Sequence, residues 1–326
     1  VQSAREAARR TQCMTNIRSL AQATSVYESA RLKLPAAMDR DSSIVTAIKA
    51  FATSTNGAYS SIFMLLPYLE EKQVYDNVAA NSSKLQYGPY STGAAGLNAF
   101  TGPSSTGTTV ALLSNLSFVQ CPSSAVGNQI DQTLWLNGTS TGVAATDTNI
   151  AAYGRTAYNA MVGAYINSGT VPSQAAGAIV LTPPTGGATF GLAGVTAGQV
   201  ADGLTKTIFF IESRERTYAS WSDGCTTWVT ALSGTSVPTI TNGKWTASGG
   251  TALTSSAHNA SNYMTTGQAG GRFAGTRDWG PSSEHAGGIV VAVFGDTHVQ
   301  PITGDTDPSV FLSLIHISEP TRPERI

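Results

Sequence analysis

Charge is what this sequence has least of. Asp, Glu, Lys and Arg make up 12% of the 326 residues, about half the usual share. The net charge is −1, so there is no general electrostatic pull toward nucleic acid or anionic membranes, and no nucleic-acid partner is expected. Cysteine is also scarce. Cys13, Cys121 and Cys225 are the three present, and an odd count leaves at least one thiol unpaired within the chain. No C-x-x-C occurs, which excludes zinc-ribbon and thioredoxin motifs. One disulfide in an oxidising compartment and three buried thiols both fit. No apolar run approaches the roughly 20 residues needed to span a bilayer. The best runs, "TIFFIE" and "GGIVVAVF", have strand length. A complete signal peptide, a G-x-G-x-x-G fingerprint and a P-loop are missing too.

Apolar residues, at 41%, suffice for a sizeable core. Glycine is abundant at 33 copies, beside much Ser, Thr, Asn and Ala. The resulting surface is rich in hydroxyls and amides, as in many secreted β-proteins. The positive charge is uneven: Arg5, Arg9, Arg10, Arg18, Arg31 and Lys33 all lie in the first tenth of the chain. That is either an ordinary solvated helix face or a basic collar beside a membrane segment.

Residues 1–34 read as one helix ended by Pro35. Glu6 can pair with Arg9 and Arg10 at i+3 and i+4. Cys13, Ile17, Leu20, Thr24 and Tyr27 recur at helical spacing and mark a packing face. The first dozen residues carry little bulky apolar text, so the front of this helix should project and its back should dock. Residues 61–79 form a second helical segment, with Leu65, Leu69, Val74 and Tyr75 as its apolar face and Pro67 in a first turn. Further on, strands are expected at 156–166, 176–181 and 206–213, the last behind the Asp202–Gly203 turn signal. Residues 233–282 read as long loops with isolated Trp245, Tyr263 and Trp279. "GGIVVAVFGDTHVQPI" reads as a β-hairpin, Ile289–Phe294 and His298–Ile302, turning at Gly295–Thr297. Asp307 and Pro308 are a good N-cap and first residue for a short helix.

These pieces resemble a large bacterial family of unknown function. It combines a prepilin-type cleavage/methylation region with a C-terminal signature of His, nine residues, then Asp-Gly. "VQSAREAARRTQCMTNIRSLAQA" resembles the stretch that follows the transmembrane half of a prepilin-like helix. "LLPYLEEKQVYDNV" resembles the family's Leu-Leu-Pro-Tyr-Leu-Glu-Gln helix, "VQCPSS" its Cys-Pro-Ser-Asp, and "TAYNAMVGA" its Ser-Tyr strand. "ADGLTKTIFFIES", with Asp202, Gly203 and Glu212, resembles its Asp-Gly-Thr-Ser-Asn-Thr-Ile run and following Glu. "SSEHAGGIVVAVFGDTHVQPI", with His285 and Asp296, resembles the terminal signature. There are departures. Ten residues separate His285 from Asp296, and Asp296 is followed by Thr297 instead of Gly. The Asp of Cys-Pro-Ser-Asp is Ser124 here. The resemblance implies a pilin-like α+β fold: a long N-terminal helix on an antiparallel sheet with large Gly/Ser/Thr-rich insertions. It divides the chain into residues 1–34 (helix), 35–314 (head) and 315–326. The last stretch, "IHISEPTRPERI", looks like translated adapter text or a short disordered tail, and no packing is expected of it. Absence of an initiator Met fits a gene fragment whose upstream part held the membrane segment.

Cys13 and Cys121 match family positions, and a Cys13–Cys121 disulfide would pin the helix to the head. His285, His298, Asp296 and Glu284 tempt a metal assignment, but the strand between the two His residues spans about 20 Å, too far for one ion. His285 reads instead as a hydrogen-bonded residue capping the sheet. Asp305 and Asp307 could hold Ca²⁺, against the simpler reading as turn and N-cap. Glu212 with Asp223 is the carboxylate pair a glycosidase would use, and sparse carboxylates argue against it. The expected function is therefore non-enzymatic. We expect a pilin- or pseudopilin-like surface protein, held in the cell envelope by its upstream segment with its head outside the cytoplasm. Its expected partners are the membrane and other pilin-like subunits, or copies of itself, through the N-terminal helix. The alternative is a tethered module that binds a solute or carbohydrate.

Overall fold

A computed structural model describes residues 2–39, 59–79, 115–124, 154–164, 176–180, 194–214, 219–224, 227–231, 239–241, 244–246 and 280–315. Cys225, Tyr263, Trp279 and residues 316–326 lie outside them. The class is α+β: an N-terminal helix on a five-stranded sheet.

Helix α1 runs Gln2–Arg31. Its buried stripe contains Cys13, Ile17, Leu20, Thr24 and Tyr27, the face that the periodicity marks, and adds Asn16, Ala21 and Ala23. The helix stops before Pro35. Leu32 takes a left-handed φ of 58° and its N–H still donates to the Glu28 carbonyl at 2.7 Å. That is a C-terminal cap of the left-handed type, here without glycine. Beyond it the Leu34 N–H donates to the Val195 carbonyl at 2.7 Å. The backbones approach so closely there that a Cβ on Gly194 would stand 1.6 Å from the Leu34 oxygen. Gly194→Ala should therefore destabilise by about 2–3 kcal/mol, as overpacked sites do; a urea midpoint unchanged from wild type would refute the close approach.

The expected second helix, 61–79, is broken into pieces. α2 covers Ser61–Leu65, a 3₁₀ turn covers Leu66–Tyr68 and α3 covers Lys72–Ala79. Pro67 supplies no N–H and restricts Leu66. Glu70 then takes a φ of 63°, and the N–H groups of Leu69 and Glu71 both donate to the Leu66 carbonyl. Ser60 caps α2, its hydroxyl accepting from the Phe63 N–H at 3.0 Å. Ser60 belongs to β2 (Tyr59–Ser60), which pairs with β1 (Met38–Asp39).

The main sheet contains β3 (Tyr158–Gly163), β4 (Ile208–Glu212), β5 (Trp228–Thr230), β8 (Val290–Phe294) and β9 (Val299–Ile302) in the order β5-β3-β4-β8-β9. β3, β4, β8 and β9 are antiparallel neighbours. β5 corrects the all-antiparallel expectation, because it pairs parallel with β3. β4 has β3 on one side and β8 on the other, and the strand after β4 joins at the outer edge of β3. The chain reverses before joining it and so runs parallel to β3. All residues of β3, β4 and β8, the three inner strands, are buried, as are those of the edge strand β5. α1 lies across β4, β8 and β9.

Three further expectations need correction. Of 176–181, residues 176–180 are described; among them Ala176 makes a bridge, to Gly163, and no strand forms. The supposed loop region contains a small hairpin, β6 (Thr239–Thr241) with β7 (Lys244–Thr246), which places Trp245 in a strand. Ile315 is fully buried in the core with Phe311 and Leu312 of α4 (Pro308–Ser313), so packing extends one residue into the stretch expected to have none. Here the Leu314 carbonyl accepts the Ile208 N–H at 2.8 Å, tying the last turn to β4.

Candidate functional site: a buried histidine clasp

β4 separates the expected signature residues into two groups. At its start lies the Asp202–Gly203 turn, where Gly203 has a φ of 82° and its N–H donates to the Val200 carbonyl at 3.0 Å. The tip of the β8–β9 hairpin sits at the same end, since the Gly295 N–H donates to the Thr207 carbonyl at 3.1 Å. Thr297 replaces the expected glycine there and adopts a φ of 74°. Asp296 compensates at the tip: its Oδ1 accepts from the His298 N–H at 3.1 Å and contacts His298 Nδ1 at 2.5 Å. These two side chains are partly exposed. Asp305 accepts from the Thr303 hydroxyl, and Asp307 caps α4 by accepting the Val310 N–H at 3.2 Å.

The opposite end of β4 holds the buried chemistry. Glu212 is the last residue of the strand and is 2% exposed. His285 reaches it from the segment before β8. That segment is shaped by Gly287 and Gly288, with φ values of 82° and 65°, and anchored by the Ser282 N–H donating to the Glu212 carbonyl at 3.0 Å. The His285 side chain is 1% exposed. Its Nε2 stands 3.3 Å from Glu212 Oε1 and its Nδ1 stands 2.7 Å from Glu6 Oε1. Glu6 is in the second turn of α1 and also accepts from the Ser123 hydroxyl, at 2.9 and 3.1 Å. The other Glu212 oxygen, Oε2, accepts the Val291 N–H at 2.9 Å.

A disulfide joins Cys13 and Cys121 beside this triad, with a Cα–Cα distance of 5.1 Å. The Cys121 sulfur lies 3.7 Å from His285 Nε2. Around it, Asn16 donates to the Gln120 carbonyl at 2.8 Å and the Tyr158 hydroxyl donates to the Cys13 carbonyl at 3.3 Å. α1 is thus fastened to the sheet by Glu6, Cys13 and Asn16 in succession. This modifies the expectation that the front of the helix simply projects. Residues 2–12 are exposed apart from Glu6 and Arg10, and Glu6 is the residue that anchors them.

Glu6 is what the sequence reading missed. Its pairing with Arg9 is present at 3.8 Å, yet its principal partner is 279 residues away. A signal existed: Glu6 stands seven residues, about two helical turns, before Cys13 and so shares its face. A small crevice with a cavity of about 10 Å³ adjoins the clasp, lined among others by Cys121, Arg155, Glu212, Arg214, Ser282 and Glu284. Asp223, the other half of the weighed carboxylate pair, is buried and bridges to Tyr59.

Burial alone would lower the His285 pKa; the carboxylates of Glu212 and then Glu6 outweigh it and raise it above its ordinary value. Glu212 is raised by burial, only partly opposed by His285 and the Val291 N–H. Glu6 is lowered by its hydrogen bond to His285, against a smaller effect of burial. A raised histidine stabilises the fold fully below its unfolded value, about 6.5, and loses that contribution as pH climbs through the folded value. Glu212 acts in the same sense: its raised value costs stability as pH rises from its unfolded value through its folded one. Glu6 opposes them only at the acid end, where its contribution is lost as pH falls. Urea midpoints between pH 6 and 9 should therefore decline with rising pH. In His285→Gln that decline should flatten; an unchanged slope would place its origin elsewhere.

Residues 2–309 match the family described as "Protein of unknown function (DUF1559)". The chain belongs to this family. No curated protein and no solved structure matches it. No helix among the described residues is long and apolar enough to cross a membrane.

Proposed function

We propose that this DUF1559 chain is the head, with the base of the stalk helix, of a pilin- or pseudopilin-like surface protein. It acts without catalysis. An apolar continuation upstream of α1 anchors it in the membrane, and the sheet is displayed on the outer side. The exposed first turns of α1 are the surface offered to other pilin-like subunits or to further copies.

One observation carries this reading: α1 is clamped to the head from Glu6 to Tyr27 while its first turns remain at the surface. A helix that transmits load from an anchor needs such a fixed attachment, and a disulfide suits an oxidising compartment. The crevice beside Glu212 favours the second reading, a tethered module for a solute or sugar. Its cavity of about 10 Å³ has room for about one water, far below the roughly 300–1,000 Å³ usual for small-molecule sites, so the structural role is preferred.

The test is to express the gene with its upstream codons in a bacterial host and fractionate the cells. The protein should partition with the membrane, be digestible by external protease, and appear in sheared surface material. Recovery in the cytoplasmic fraction would end the proposal. Thermal stabilisation of the purified chain by a member of a sugar panel would favour the binding module instead.

A further inference from the structure

We propose that the reduced protein binds one zinc ion at Cys13, Cys121, Glu212 and His285, so that metal and disulfide are alternative occupants of the clasp. This does not rest on surface display; it concerns the purified chain.

The four residues are all buried, and their ligand atoms lie within 4.8 Å of one another. Tetrahedral zinc holds thiolates at about 2.3 Å and imidazole or carboxylate at about 2.1 Å, which makes its sulfur–nitrogen edge about 3.6 Å and its nitrogen–oxygen edge about 3.4 Å. The corresponding distances here are 3.7 Å from Cys121 Sγ to His285 Nε2 and 3.3 Å from Nε2 to Glu212 Oε1. Two edges of the coordination polyhedron are therefore formed already. The sulfur-to-sulfur edge opens to about 3.8 Å once the bond is broken, and the remaining three edges, now within 4.8 Å, settle to about 3.6 Å.

The surrounding groups suit a metal. Glu212 Oε1 is buried and makes no well-formed hydrogen bond; its neighbour is His285 Nε2 at 3.3 Å, the atom that would share the ion. Its sister oxygen is held by the Val291 N–H. His285 Nδ1 is engaged by Glu6. With Nδ1–H donating to that carboxylate, Nε2 presents its lone pair to the cluster, the carboxylate–histidine–metal arrangement common around zinc. Glu6 is then a positioning residue. The adjoining crevice, which reaches Cys121 and Glu212, supplies a route for the ion.

The exchange balances. A dithiol gives two electrons and two protons to the Cys13–Cys121 bond and becomes a disulfide itself. The two thiols then lose their protons to solvent as two zinc–sulfur bonds form. An oxidant of the disulfide class reverses the sequence and expels the ion.

The experiment uses the full 326-residue chain, reduced anaerobically with a phosphine, then titrated with Zn²⁺ or with Co²⁺ as a spectroscopic probe. One equivalent should bind, with thiolate-to-cobalt charge transfer and the visible bands of tetrahedral Co²⁺. The oxidised chain should bind none. Glu212→Gln and His285→Gln should weaken binding at least tenfold, and Glu6→Gln by about 10- to 100-fold. If reduction alone unfolds the chain, zinc should restore its circular dichroism. Bound zinc should also slow reoxidation by diamide in the wild type and not in His285→Gln. A reduced, folded chain that takes up no metal overturns the proposal. So does an unfolded chain that zinc fails to rescue, or undiminished binding in a Cys13→Ser, Cys121→Ser double variant.

Discussion

His285→Ala is expected to lower the unfolding free energy by about 3–5 kcal/mol, the range for breaking a buried ion pair by removing one partner. The reason is what remains. Glu212 is 2% exposed, and without the imidazole its carboxylate has only the Val291 N–H at 2.9 Å for compensation. Glu6 loses its 2.7 Å contact at the same time, which frees the second turn of α1. A cavity the size of the ring adds to the loss. Urea unfolding at pH 8 tests this. A loss under about 1 kcal/mol at pH 8 would mean that the triad does not hold the helix.

Removing the disulfide should have an effect of similar size by a different route. Cys13 and Cys121 are 108 residues apart, and a cross-link closing a loop of that length restricts the unfolded chain by up to about 4.7 kcal/mol in the loop-entropy description. Measured values usually fall short of that limit, so we expect the Cys13→Ser, Cys121→Ser double variant to lose about 3–4 kcal/mol. The effect should also be local. Arg5, Arg9 and Arg10 lie just before Cys13, and with the front of α1 released, tryptic cleavage there should outpace cleavage elsewhere. In the oxidised wild type these sites should be slow. Equal cleavage rates in the two proteins would show that Glu6 and Asn16 suffice to keep the helix docked.

Much of the local structure was legible because short-range physics determines it. The packing face of α1 follows from the spacing of Cys13, Ile17, Leu20, Thr24 and Tyr27, all buried. The β8–β9 hairpin follows from an apolar run, a Gly-Asp turn and a return strand. Asp307 and Pro308 announce α4. Elsewhere a competing local rule wins. Pro67 interrupts the helix that the pattern of 61–79 suggests. Residues 176–180 look like a strand from composition, yet their backbone bonds only at scattered points, the Ala176 bridge, Gly177 to Val162 and Ala37 to Val180, and no ladder forms. The text from Ile315 onward suggests no packing, yet the Ile315 side chain completes the core beside Phe311.

The clasp was legible only in part. The family resemblance drew attention to His285, Glu212 and the two cysteines, but not to their meeting at one point, nor to Glu6. By itself the sequence determined which faces would be buried, where the hairpin turns and where the last helix begins, because these depend on neighbours within a few residues. Tertiary structure alone decided that β5 runs parallel to β3 and that a carboxylate from the first helix meets a histidine 279 positions later. Those outcomes depend on which strand edge is left open and on which buried charge lacks a partner, and both are settled only when the whole sheet is assembled.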